Sequence, residues 1–417
     1  MKSRVLFISL VILVTLLVVA VAFASNPKIA TGDSRNVTQP TYPSICTALS
    51  AQGTSSSGPD QTSQITSSLS SCAGKGSVVL QSSGSHSYFW AKSFTMSSNQ
   101  TLVIDAGVTL QASSISTQFI SLTSGSSNVA ILGGQGSPMA VIDGHSSSGN
   151  RVISTVNSHS NFTIYNVNFL HSGYPSIYIK KGNGATVWGV QVHTKANTSN
   201  ADCVDIDSTT NATVTNSFLE CGDDGVALKT NANATSNITV ENSSFHGSHG
   251  MSIGSETNFG VSNALFQNNY IYGQDEFGNF ATDDNGIRIK TNSSCGGHVD
   301  TITYLNTCMT GVKHLLIFNP NYDGDCSSGS GTPWFTNIVV NGVFATNSVS
   351  GAYSEYDGNG SSHVMTLWLE NVSLDKTTQS SASYANVGLF NSNVAPHGTG
   401  VTTYAFSGNG NVPACSF

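Results

Sequence analysis

The chain has 417 residues, 38% of them hydrophobic but only 9% charged, with 41 glycines and a formal net charge of −8. That length can bury a large core. The acidic balance excludes a general nucleic-acid binder, which needs a basic face for phosphates, and leaves any attraction to a polyanion to local Arg or Lys.

At the N-terminus "MKSR" precedes an apolar run from Val5 to Ala24 that ends Ala22-Phe23-Ala24. A basic start, an apolar stretch and a small-x-small end read as a secretory signal over 1–24, so a secreted, extracellular protein is expected; a monomer is expected as well. The same run is long enough for an uncleaved membrane anchor. Residues 25–45 read as a linker or disordered segment, and 46–417 as one domain. Within "PDQTSQITSSLSSCAGKGSVVL" a short helix-like piece runs into a Gly-rich turn and then a strand. Beyond it, short β-branched runs punctuated by Gly and Asn predict an all-β protein.

Eight cysteines in an exported chain suggest disulfides. Pairing sequence neighbours is the simplest expectation: Cys46–Cys72 and Cys203–Cys221 foremost, then Cys295–Cys308 and Cys326–Cys415. No spacing resembles a CxxC zinc site.

The middle of the chain repeats. "NATVTNSFLEC" from Asn211, "NITVENSSFHG" from Asn237 and "NALFQNNYIYG" from Asn263 start 26 residues apart, and weaker copies begin at Asn161, Thr301, Thr336 and Thr366. Each has Asn at its sixth position: Asn166, Asn216, Asn242, Asn268, Asn306, Asn341 and Asn371. Short strands at a period of roughly 25 residues, with Asn at equivalent turns, predict a parallel β-helix whose stacked turns share one core. Asn tolerates left-handed turns, and its amides can bond from turn to turn. Eleven Asn-X-Ser/Thr sequons occur, several on the repeat, where turn composition explains them as well as glycosylation does.

In a solenoid, residues one period apart stack at about 4.8 Å per turn. The frame Asp224-Gly225-Val226-Ala227-Leu228-Lys229 then lies over His249-Gly250-Met251-Ser252-Ile253-Gly254. One turn earlier "NADCVDID" supplies Asp202; one turn later "NGIRIK" supplies Arg288 and Lys290, after about ten extra residues, "QDEFGNFATD", expected to loop out and shape a cleft over 275–284. The apolar residues of "GVAL", "GMSI" and "GIRI" alternate inward, leaving one exposed strip of Asp202, Asp223, Asp224, His249, Arg288 and Lys290. Alone, Gly-Asp-Asp-Gly reads as a turn, a single His as structural, and Arg288 with Lys290 as a solvated face. Six such residues in register, in so uncharged a chain, read as a site. Three carboxylates in one cleft repel, so at least one is expected to be raised and protonated. A protonated carboxyl beside ionised ones suits glycosidic cleavage, and Arg288 with Lys290 would hold an anionic sugar.

The segments "NAD", "GDD", "SHG" and "RIK", in this order, resemble the four signatures of the polygalacturonases, the pectin-degrading family 28 of glycoside hydrolases, and "TMSSNQTLVIDAGVTLQAS" resembles that family's early strands. The resemblance covers most of the chain from about Cys46. It implies a single-stranded right-handed parallel β-helix, no metal or cofactor, and hydrolysis of α-1,4-galacturonan in pectin with inversion, endo attack being favoured over exo. By position, Asp223 resembles the general acid, Asp202 with Asp224 the pair that activates water, and His249 the histidine that tunes the acid. Arg288 and Lys290 resemble the binders of a galacturonate carboxylate, and Tyr322 in "NPNYDG" a substrate-contacting tyrosine, although a packed surface aromatic reads nearly as well. Two departures stand out: Ala201 and Cys203 replace the usual Thr and Gly around Asp202, and Ser248 replaces a Gly before His249. A calcium-dependent pectate lyase would share the fold class but leave His249 unexplained. A non-catalytic β-helix that binds polyanions would have reason to avoid the acidic triplet.

Overall fold

The computed structural model describes residues 26–145, 150–155, 157–281, 283, 285–322, 331–377 and 379–417; the expected signal over 1–24 lies outside them. Alternation along the short strands builds the core. Val226 and Leu228, Met251 and Ile253, and Ile287 and Ile289 are fully buried, each pair two residues apart on one strand. Their strands stack in parallel, Val204 on Val226, Val226 on Met251, Met251 on Ile287 and Ile287 on Leu316. They belong to an eleven-stranded parallel sheet, and the strands on the other faces of the solenoid stack in the same parallel way. The architecture is a parallel β-helix.

The repeat asparagines turn the chain as their chemistry allows. Asn166, Asn216, Asn242, Asn268, Asn306 and Asn371 hold φ between 50° and 56°, the left-handed region; at the Asn341 turn Gly342 takes it, with φ 71°. Their amides form ladders, with Asn306 Nδ2 donating to Asn268 Oδ1 at 3.1 Å. A second ladder links Asn263 to Asn237 at 2.9 Å and Asn237 to Asn211 at 3.1 Å. Helix Thr62–Cys72 buries Ile65, Leu69 and Cys72 against the first strands.

Residues 26–44, read from sequence as linker, carry no helix or strand. They lie along the outside of the solenoid as a strap. Ala30 N donates to Thr303 Oγ1, Thr31 N to Asn263 Oδ1, Asp33 N to Thr239 Oγ1 and Tyr42 Oη to the Gly133 carbonyl, at 2.6–2.9 Å. The chain therefore runs back across the turns from the fourth-hundred residues to the second, held by the polar side chains that the repeats expose.

Cys46 pairs with Cys72 and Cys203 with Cys221, as neighbour pairing predicts. Cys308 pairs with Cys415 and not with Cys295. The solenoid brings the chain end back beside residue 308, a proximity that sequence distance conceals. Cys326 lies outside the described residues.

Candidate active site

The strand register places the predicted residues. Asp202 precedes strand Val204–Asp207, Asp223 and Asp224 precede Val226–Lys229, and His249 precedes Met251–Ile253. With Val204, Val226 and Met251 in register, Asp202, Asp224 and His249 form one column. Arg288 lies in the adjacent outward column, above Ser252, Ala227 and Asp205. Close approach, and not left-handed backbone, demands the flanking glycines. A Cβ on Gly222 would lie 2.3 Å from the Thr198 carbonyl oxygen, and one on Gly225 2.4 Å from the Phe245 ring. Gly254 meets both demands, with φ +98° and a Cβ position 1.8 Å from the Lys290 carbonyl oxygen.

A cleft of about 510 Å³ opens over these residues. Asp223 Oδ1 lies 2.8 Å from His249 Nδ1. Asp223 also accepts from Asn200 N at 3.1 Å and Asp224 N at 2.9 Å. Burial pushes Asp223 upward, but His249, Lys290 and the Asn200 amide outweigh it and hold the carboxyl well below its usual range. Asp224 accepts from Ser252 Oγ at 2.6 Å, with Lys290 Nζ at 3.1 Å and Arg288 farther off at 4.0 Å. Burial raises it too, and Lys290 first among the neighbouring charges brings it below the carboxylate range.

Two expectations change here. The strip is not exposed: Asp202, Asp224, His249, Arg288 and Lys290 are all at most 8% accessible and form a cleft floor. Nor does mutual repulsion leave Asp223 or Asp224 raised: the Asp223 charge pushes Asp224 up, but the basic neighbours of each outweigh it. The raised acid is Asp205, directly behind the site. Burial and then the Asp202 charge push it well above the carboxylate range despite Lys229.

Lys229 is what sequence reasoning missed. Its ammonium bridges Asp202 at 2.9 Å and Asp205 at 3.0 Å, and although burial opposes the charge, these carboxylates hold it well above its ordinary value. The signal was present, since Lys229 stands one turn before Gly254 and five residues after Asp224, on the outward side of the same strand. Tyr322 does reach the site: Arg288 and Lys290 lie 5.0 and 5.2 Å from its ring centre. Beyond Arg288 a second hollow of about 170 Å³ is lined by His314, Tyr353 and Glu355. Burial and Asp357 push Glu355 up to about 7.

The ten-residue insertion folds back on itself, Gln274 bridging Phe280, and Asp283 N reaches His249 Nε2 at 3.3 Å. Residues 282 and 284 of the expected loop lie outside the described residues. Donor atoms of Asp223, Asp224 and His249 converge closely enough for a metal ion. A cation there would face Lys290, 3.1 Å from Asp224, so charge disfavours it.

A parallel β-helix whose outer groove carries clustered carboxylates beside paired basic groups defines a polysaccharide-cleaving class of solenoid. The sequence pattern of glycosyl hydrolases family 28 matches residues 91–395, and the chain belongs to that family, and so to the glycoside hydrolases. A polygalacturonase of Ralstonia nicotianae is 29% identical over 95% of this chain and 90% of its own length. An endo-polygalacturonase of Pectobacterium carotovorum subsp. carotovorum is 30% identical over 78% and 84%. The solved polygalacturonase from Erwinia carotovora ssp. carotovora superposes with a TM-score of 0.67 at 26% identity, covering 89% of this chain and all of that one. The shared fold is the right-handed β-helix.

Proposed function

We propose that the chain is a secreted polygalacturonase that hydrolyses α-1,4-galacturonosyl bonds of polygalacturonate by single displacement, attacking within the polymer. One observation carries the assignment of roles. Of the three cleft carboxylates, Asp202 is paired with Lys229 and Asp224 with Lys290, whereas Asp223 is paired with His249. Lys290 holds Asp224 in its ionised form, and Asp202 with Asp224 accepts the proton from water. Histidine is the partner that can hand a proton on near neutrality. The Asp223–His249 pair then holds one proton between them, and Asp223 delivers it to the glycosidic oxygen as the bond to the anomeric carbon breaks. Water, deprotonated by Asp202 and Asp224, attacks that carbon from the other face, inverting it. Arg288, Lys290 and Tyr322 bind the galacturonate carboxylate beside the scissile bond. Endo attack is supported by the Pectobacterium relative, and export by the apolar N-terminal run; among the described residues no helix is long and apolar enough to cross a membrane.

The test is incubation with polygalacturonate and a chelator, following reducing ends and the ultraviolet absorbance of unsaturated uronides together. Reducing ends without an ultraviolet rise, and a ladder of mixed oligomers, are expected. An ultraviolet rise would assign a lyase, release of monomer alone would assign exo attack, and no product would overturn the reading.

A further inference from the structure

A second convergence of ligating groups lies across the 195–202 turn from the cleft, and the proposed hydrolysis makes no use of it. Strand Gln191–His193 ends on His193, strand Phe218–Glu220 ends on Glu220, and the insertion brings in Glu276. The three meet in a hollow of about 680 Å³ that is open to solvent. His193 Nδ1 lies 3.9 Å from Glu220 Oε1 and 3.7 Å from Glu276 Oε2, and the three donor atoms all lie within 4.8 Å of one another.

We propose that His193, Glu220 and Glu276 bind a divalent transition-metal ion, with Zn²⁺ the best fit, and that the ion pins the insertion to the solenoid. The donor set is one imidazole and two carboxylates, which suits zinc and its neighbours and leaves a fourth position facing the open hollow. Tetrahedral zinc, with bonds of about 2.0–2.2 Å, sets donor atoms roughly 3.3–3.5 Å apart. The two separations from His193, 3.9 and 3.7 Å, exceed this by a few tenths of an ångström, and the half-exposed Glu276 side chain can rotate to bring its carboxylate in. The other two ligands are already held. The His193 ring stacks on Phe218, 5.1 Å between centres, so its Nδ1 edge is fixed toward the carboxylates. Glu220 is 2% accessible and accepts the Glu276 backbone N–H at 2.8 Å. Two carboxylates facing one imidazole nitrogen repel each other, and a dication between them removes that repulsion. The other charged groups at the hollow are Lys195 and His171, and His171 is engaged by Asp143 at 2.9 Å. Binding would order Glu276 and, through Asp275, whose side chain accepts from Ala196 N, the turn that leads to Asp202.

Calorimetric titration of the purified protein with Zn²⁺ near pH 7.5, paired with a melting curve, tests this without reference to activity. One ion per chain and a raised Tm are expected. Binding at least tenfold weaker is expected in both His193→Gln and Glu276→Gln, and unchanged binding in Asp223→Asn, which disables the catalytic cluster as a rival site. Glu276 is half-exposed, so its variant keeps the test valid if His193→Gln fails to fold. Absence of binding, binding indifferent to Glu276→Gln, or binding lost in Asp223→Asn would each overturn the proposal.

Discussion

Replacing Lys229 by Met tests how the catalytic floor is held together. Lys229 is the contact cation of Asp202 and Asp205, at 2.9 and 3.0 Å, and those carboxylates are 4% and 2% accessible. Breaking a buried ion pair from one side costs about 3–5 kcal/mol, because the remaining charge is left without partner or water. With an unfolding entropy of about 2.1 cal/mol/K per residue over the 417-residue chain, that loss lowers Tm by about 3–6 °C. The deficit also depends on pH, with a definite sign. Without the ammonium, the Asp205 carboxyl, already raised by burial, moves further up. A raised acid contributes stability that is complete below the unfolded value of about 3.9 and is lost as pH rises through the raised folded value. The variant should therefore melt closer to the native protein at pH 5 than at pH 8. Adding Asp205→Asn, which removes one of the two stranded charges, should recover part of the loss. Scanning calorimetry of the three proteins at both pH values is the assay. A Tm change below about 1 °C at pH 8, or a deficit that Asp205→Asn deepens, would show that the pair is not the structural unit argued here.

Asp223→Asn should reduce kcat by about 10²–10⁴ while leaving galacturonan binding and Tm nearly unchanged; a rate near that of the native protein removes Asp223 from the acid role. Arg288→Ala and Lys290→Ala should chiefly raise KM, by about tenfold each if one charge-assisted contact of roughly 1.4 kcal/mol is lost, and an unchanged KM in both would refute the carboxylate clamp. Removing His249 deprives the acid pair of its second proton site, so the alkaline limb of kcat/KM should move to lower pH in His249→Ala; a limb that stays in place would separate His249 from the acid. Lys290 and Arg288 lie on Asp224 in the substrate-free cleft, and a bound carboxylate that draws them away should raise Asp224, placing the acidic limb of kcat above that of kcat/KM. Coincident limbs would show that the clamp and the base are independent.

The column of Asp202, Asp224 and His249 was legible because a solenoid turns sequence period into spatial register, and one frame, once matched, fixes every later one. Register says which residues stack but not how deeply they sit. Arg288 and Lys290 were therefore placed on the correct face yet read as solvated, although the walls of the cleft leave them 4% and 6% accessible. Lys229 escaped for a related reason: its partners lie 24 and 27 residues away, one turn back, and only side-chain length decides that an ammonium can span from one column to the next. The strap over 26–44 was illegible because its order comes from partners as distant as Thr303, and nothing local requires it.

The charge pattern of the site explains why so uncharged a chain concentrates ionisable groups here. The contacts within 4.0 Å join four carboxyl groups, Asp202, Asp205, Asp223 and Asp224, to four basic groups, Lys229, His249, Arg288 and Lys290. Buried carboxylates of one sign could not stay ionised together, and lysines alone would leave no group able to give up a proton. The proposed mechanism separates the two needs by partner: Asp202 and Asp224, as the water-activating pair, lie on ammonium groups, and Asp223, as the acid, lies on an imidazole. An anionic substrate entering this balanced floor must compete with Asp224 for Lys290 and Arg288. The proposed roles thus couple substrate binding to the basicity of Asp224 through the same two side chains, and a neutral sugar would leave Asp224 clamped and less basic.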